Sequence, residues 1–551
     1  MSVKNFGSSV AVVVALLTCA GLAFPAPVSA KEKPKPKAVP KAKAKPKEPE
    51  PPPSASPWSL RDHFRFPQDK VLLRYAVETA EWSVEINEAQ PVIDNAKFQI
   101  AFSDGAILDA SGLGKAESER EKFDNQIGKG TAYVSVFPPK DGLAIRHSIA
   151  MFAERPFFFI RVGIGNNSEK PIEIAKITVA AFGPGGIAHL SPDTQLSAHR
   201  LLWRGGCPVF TKDPASTLTI LQDRAQGLTF SFGVLPEGIA ASSFEITASG
   251  GSWLGDATCV YDPPVRIDPG QKIESDPIWC TLMVPEPDAI CENYAWSASV
   301  LPHPLCKNLL RAWVTAEDGA GQDDVLSAAK VWSGILKGVL VPAGWEGRPG
   351  SLEGSTPRYP KEMSKLAKQL ETAGFTPGIC VDPLMTSEGA ADRAAKAPDG
   401  TMWLQLTDPE ARKQSVERMR KLVGWGYKFF VVPPSSIPNE VLKHFNMTRA
   451  QAYTLAVTVM AEAAGDLPVL PSSACTLKAD VNDWRQAAAA ENGMAKFGMT
   501  TGPVRFEVGA LQSLDDTIAE AITGMAGPIE FMGTPKGKLG EQLVQILSHG
   551  R

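Results

Sequence analysis

Three carboxylic acids stand where short apolar runs end: Asp382 after Gly378-Ile-Cys-Val381, Asp480 after Thr476-Leu-Lys-Ala479, and Glu507 within Val504-Arg-Phe-Glu-Val508. Two acids held close can divide the work of hydrolysis, one carrying a proton and the other ionised, when their surroundings split their pKa values. Trp345, preceded by Gly344, and Trp484 beyond Asp480 could lie against a flat polar ligand. Each of these residues also has a plain structural use. Asp480 can cap the helix that follows, Trp345 can pack beneath its loop, and Asp382 and Glu507 can bind backbone amides or solvent. Ser435 and Ser436 have no histidine near them in sequence and read as turn residues.

Spacing argues against other chemistries. The seven histidines are scattered without an HxxxH pair and no CxxC occurs, so no metal site is expected. Neither GxGxxG nor GxxxxGK[ST] is present, and Gly533-Thr-Pro-Lys-Gly-Lys538 is too short for a phosphate loop. No cofactor is implied. A net charge of −4 over 551 residues leaves no nucleic-acid footprint.

The elements that would position the acids begin near residue 300, where strand-like apolar runs alternate with amphipathic helices. Eight strands are expected: Leu310–Val314, Gly338–Val341, Thr376–Val381, Lys428–Val432, Leu467–Leu470, Thr476–Ala479, Val504–Val508 and Pro528–Met532. Helical patterns fall at Pro360–Ala373, Pro409–Trp425, Arg449–Ala464, Asn482–Phe497 and Leu514–Met525. Asp408-Pro409-Glu410 makes a strong helix start, with an acid cap, proline at the first position and an acid in the first turn. Eight such repeats in 300–551 are the size of one (β/α)8 TIM barrel, in which reacting groups sit at the C-terminal strand ends.

Residues 58–290 carry a β signal of short runs such as Lys97–Phe102 and Ile174–Val179, punctuated by turn chemistry at Ser103-Asp-Gly105 and Asp268-Pro-Gly270. A β-sandwich domain is expected there, with the charge-rich stretch 115–126 as an excursion or short helix. Residues 31–57 alternate lysine and proline, eight lysines against three glutamates, and read as an extended solvated linker whose charge would suit an anionic cell-envelope polymer. Residues 1–30 have Lys4, an apolar stretch from Val10 to Phe24 and Val28-Ser29-Ala30, the pattern of a secretory signal peptide. Export is therefore expected, to periplasm, envelope or medium. Cys19 leaves a lipoprotein variant open. Export permits disulfides among the seven remaining cysteines, with Cys280, Cys291 and Cys306 grouped near the domain junction.

The loops at the strand ends share an order with a known family. Leu340-Val-Pro-Ala-Gly-Trp345, Tyr359-Pro-Lys-Glu-Met363 through Gly374–Pro383, Leu404-Gln-Leu-Thr-Asp-Pro-Glu410, Gly426-Tyr-Lys-Phe-Phe-Val-Val-Pro433 and Thr476–Asp480 with Trp484 together resemble the α-galactosidase clan of glycoside hydrolases. The likeness is closest to members with an N-terminal β-sandwich. It implies a carbohydrate ligand, with Asp480 in the acid/base position and Gly344, Trp345 and Trp484 at the sugar.

The departures weigh more than the matches. A retaining glycosidase needs two carboxyls about 5–5.5 Å apart, and the family's nucleophile position is occupied by Pro433. Val431 to Pro438 contains no acid, and Glu440 belongs to the next helix or its lead-in. The family's paired aspartates are matched by Pro342 and Ala343, its lysine by Val431 and its arginine by Thr476. Three readings follow. The chain is a divergent, non-cleaving glycan-binding protein; or an active glycosidase that pairs Asp382 or Glu507 with Asp480; or a structural module acting through residues 31–57. The first is preferred.

Overall fold

In the computed structural model the described residues are 71–86, 90–183, 186–199, 218–235, 237–249, 252–282, 287–299, 312–317, 319–387, 393–433, 436–471, 475–477, 504–507, 529–532 and 539–549. The expected signal peptide and Lys/Pro linker lie outside them, as do Asp480, Trp484, Cys306 and the helical patterns 482–497 and 514–525.

The N-terminal half packs two antiparallel sheets face to face. One runs in the order Val71–Ala76, Glu81–Ile86, Gln90–Phe102, Ile172–Ala181, Ser252–Ile267, Ala241–Ser249, with Ile107–Asp109 beside Gln90–Phe102. The other runs Gln195–His199, Leu218–Asp223, Leu228–Val234, Ile278–Leu282, Phe158–Asn166, Leu143–Phe152, Gly128–Val136, Glu117–Asn125, with Lys272–Glu274 beside Phe158–Asn166. Alternation supplies the core. Ile160, Val162 and Ile164 face Phe98, Ile100, Ile177 and Val179 in one apolar cluster. Phe232 and Phe244 stack across it with ring centres 4.9 Å apart.

One polar knot interrupts this core. The Tyr75 hydroxyl lies 2.7 Å from both Ser135 Oγ and His147 Nδ1, and the His147 ring stacks on Phe98. Burial holds the imidazole at a pKa of about 3, so it is neutral.

Three features depart from expectation. Glu117–Asn125 is neither an excursion nor a helix but a nine-residue strand. Among the described residues it lies at a sheet edge, paired only with Gly128–Val136, and edge strands tolerate the charge that makes this stretch look irregular. Pro287–Ser299 forms a helix that lays Tyr294 and Ile290 over the outer face of the second sheet. The Tyr294 hydroxyl donates to Val234 O at 2.5 Å, and Gly233 leaves the space that its ring fills. Cys280 is a free, buried thiol rather than half of a junction disulfide.

Among the described residues past 311 there are eight parallel strands. They are Ala312–Thr315, Gly338–Val341, Thr376–Cys380, Phe429–Val432, Val469–Pro471, Cys475–Leu477, Val504–Glu507 and Ile529–Met532, and each overlaps an expected strand. Numbered in chain order, they neighbour one another as 5-4-3-2-1-8-7-6. The first strand pairs in parallel with both the second and the eighth. That is barrel order; among the described residues the pairing is interrupted between strands five and six.

Where burial is described, in strands one to five and eight, both faces of this sheet are largely apolar, with Glu530 buried beside Trp313 as a charged exception. Val314, Val339, Val341, Phe430 and Val432 pack toward helices Gln322–Val331, Met363–Thr372, Pro409–Gly424 and Arg449–Ala464. The alternate residues Trp313, Leu340, Cys380, Phe429, Val431 and Leu470 form a separate apolar cluster on the other face. Sheets buried on both faces are the rule where strands run parallel. Gly378 is required here: a Cβ would stand 2.2 Å from the Phe429 ring.

Helix Pro409–Gly424 starts as its sequence predicts, with Asp408 Oδ1 accepting from Glu410 N and Ala411 N at 3.0 and 2.9 Å. Helix Arg449–Ala464 meets the sandwich. Its cap residue Thr448 donates to Ile239 O, Arg449 pairs with Asp262 at 3.1 Å, and Gly238 abuts Thr454 so closely that an added Cβ would lie 2.7 Å from its hydroxyl.

Candidate functional site

Pro433 follows the fourth parallel strand directly and is half-buried. Phe429 and Val431 belong to the inner apolar cluster, and strand side chains repeat every second residue. Position 433 thus continues the inward-facing series one step beyond the strand, at its carboxyl end. A carboxylate there would extend the inner series past the strand end; the chain instead places a ring with no titratable group.

The loops after strands two and three converge on a charged cluster in which Asp382 is buried and Glu346 and Arg418 are half-buried. Asp382 follows strand three; its Oδ1 accepts from Leu384 N at 2.9 Å, closing a turn. Its Oδ2 is buried with no hydrogen-bond partner among the described residues. Desolvation raises this carboxyl to about 6, against the smaller opposing pull of the Leu384 amide and the Arg418 guanidinium; Glu346 adds to the rise.

Glu346, in the loop after strand two, accepts from Gly350 N and Leu352 N at 3.0 and 3.1 Å. Burial raises its pKa too. Arg418 reaches in from helix Pro409–Gly424 and donates to Gly350 O and Pro383 O, both at 3.2 Å. Ser415, one turn earlier, donates to Pro383 O at 2.6 Å. One helix therefore holds both loops, and the acids hold the turns within them.

Gly344 sits at φ +82, where an L side chain would be strained, and its carbonyl accepts from Arg358 Nη2 at 2.8 Å. Trp345 is 1% exposed; its indole N–H donates to Cys380 O at 2.7 Å. Its ring packs beneath the loop and turns no face to solvent, which corrects the sugar-facing alternative. Glu507 ends strand seven, opposite Met532 of strand eight. Asp480 and Trp484 lie outside the described residues, so of the expected acids only Asp382 has a described side chain. Glu440 is exposed in the first turn of the short helix Asn439–His444.

Sequence reasoning passed over Arg418 and Glu346. The signal for Arg418 is its place on the buried stripe of its helix, with Ala411, Ser415, Met419 and Leu422; an arginine on an apolar face needs acceptors there.

No family model matches the chain, and no curated protein sequence does. Solved structures do. The α-N-acetylgalactosaminidase NagBb from Bifidobacterium bifidum superposes with a TM-score of 0.54 at 12% identity, over 88% of this chain and 92% of that one. The α-galactosidase from Lactobacillus brevis gives 0.50 at 10% identity, over 88% and 82%. The fold is α-galactosidase-like. The sandwich and the parallel-strand half occur together in that one architecture.

Proposed function

We propose that this is an exported, carbohydrate-directed protein whose eight-stranded sheet closes into a (β/α)8 barrel, and which does not cleave glycosides by the retaining route. The observation that carries the proposal is Pro433 at the close of strand four. A glycosyl-enzyme bond needs an oxygen nucleophile on the sugar's face, and the inward position there offers none. Asp480 would remain as an acid without a partner. The burial of Asp382 and its use in a turn speak for a bracing role rather than for a substitute nucleophile.

Purified protein incubated with aryl α-galactosides and aryl α-N-acetylgalactosaminides is expected to release no phenol above buffer. Turnover that disappears in Asp480→Asn would refute the proposal and point to a rebuilt acid pair.

A further inference from the structure

Between the small sheet after strand three and the helix after strand four lies an open cleft of about 510 Å³. The small sheet comprises Met385–Thr386, Ala394–Lys396 and Met402–Leu404. Both walls thus come from segments that follow the carboxyl ends of parallel strands, the side on which (β/α)8 folds gather their ligands. The volume falls within the span of roughly 300–1,000 Å³ usual for small-molecule sites.

Among the described residues the lining has two parts. Ala395, Ala397, Pro398 and Val441 give an apolar surface without bulky side chains. Lys396, Glu440 and His444 stand around it, all exposed. Their hydrogen-bonding capacities differ: an ammonium that only donates, a carboxylate that only accepts, and an imidazole that can do either. One cation and one anion offset each other in formal charge, so the lining carries no strong net charge. An apolar floor ringed by both donors and acceptors matches a pyranose, which has C–H faces and a belt of hydroxyls that each donate and accept.

We propose that this cleft is a carbohydrate subsite that takes a neutral oligosaccharide, with Glu440 and Lys396 holding adjacent hydroxyls. The proposal rests on the carbohydrate-directed reading but not on Pro433, because binding here requires no nucleophile.

The test is isothermal titration of the full-length protein with galactobiose, raffinose and maltopentaose, repeated on Glu440→Ala, Glu440→Gln, Lys396→Ala and His444→Ala. All three positions are exposed, so the variants should keep the parent's melting temperature. At least one sugar is expected to bind, with affinity about tenfold or more weaker in Glu440→Ala, the scale of a hydrogen bond to a charged group. Binding that persists unchanged in every variant overturns the subsite and leaves the carbohydrate reading standing. Failure of all three sugars to bind the unmodified protein overturns both.

Discussion

Asp382→Asn isolates the consequence of burying a carboxyl with one idle oxygen. In the folded protein this group titrates near 6 rather than at 3.8. At about 1.4 kcal/mol per pH unit, that displacement corresponds to roughly 3 kcal/mol. The sign follows from proton counting. Between about pH 4 and 6 the folded state holds a proton that the unfolded state has released, so the favourable contribution is complete below pH 4 and is lost as pH rises toward 6.

An asparagine keeps an acceptor for the Leu384 amide and never ionises. The variant should therefore match the wild type near pH 4 and exceed it by up to about 3 kcal/mol at pH 7, roughly 6–12 °C in melting temperature for a unit of this size. Paired melts of both proteins at half-unit pH steps cancel all other titrations. A stability difference that stays flat between pH 4 and 7 refutes the reasoning, and would mean that water or another group already satisfies Oδ2.

Gly378→Ala should destabilise the parallel sheet by about 1–3 kcal/mol through overpacking against Phe429, and Gly378→Ala with Phe429→Leu should recover part of the loss; thermal melts followed by circular dichroism check both. His147 is held neutral by burial, so it contributes stability above about pH 6.5 that is lost as pH falls toward 3. Imidazole nitrogen shifts should accordingly show a neutral ring at pH 5, and an imidazolium signal there would contradict the buried knot with Tyr75 and Ser135.

The parallel strands were legible because each is a short run buried on both faces, as in Gly338–Val341 and Phe429–Val432, where nearly every residue is apolar and the period hardly matters. Helix starts were legible where the capping chemistry is local, as at Asp408. What escaped depends on partners distant in sequence. Glu117–Asn125 looks irregular until Gly128–Val136 pairs with it. Helix Pro287–Ser299 gives no sequence signal of its own, because the surface it covers, around Trp279 and Gly233, is made by other strands. A tryptophan after a strand reads alike whether it stacks on a ligand or seals a loop. Only the Cys380 carbonyl, 35 positions away, decides for Trp345. Pro433 is the opposite case: its identity is its chemistry, and the structure adds only the direction in which the position faces.

The grip between Thr448, Arg449 and Thr454 on one side and Gly238, Ile239 and Asp262 on the other has a mechanical consequence. Helix Arg449–Ala464 leads out of the segment that follows Pro433 and into strand five, so the sandwich acts as a splint along that stretch. A bulky residue at Gly238 would act as a wedge, prising the splint from the helix. Damage far from the strand ends would then reach them as lost rigidity rather than as a lost contact.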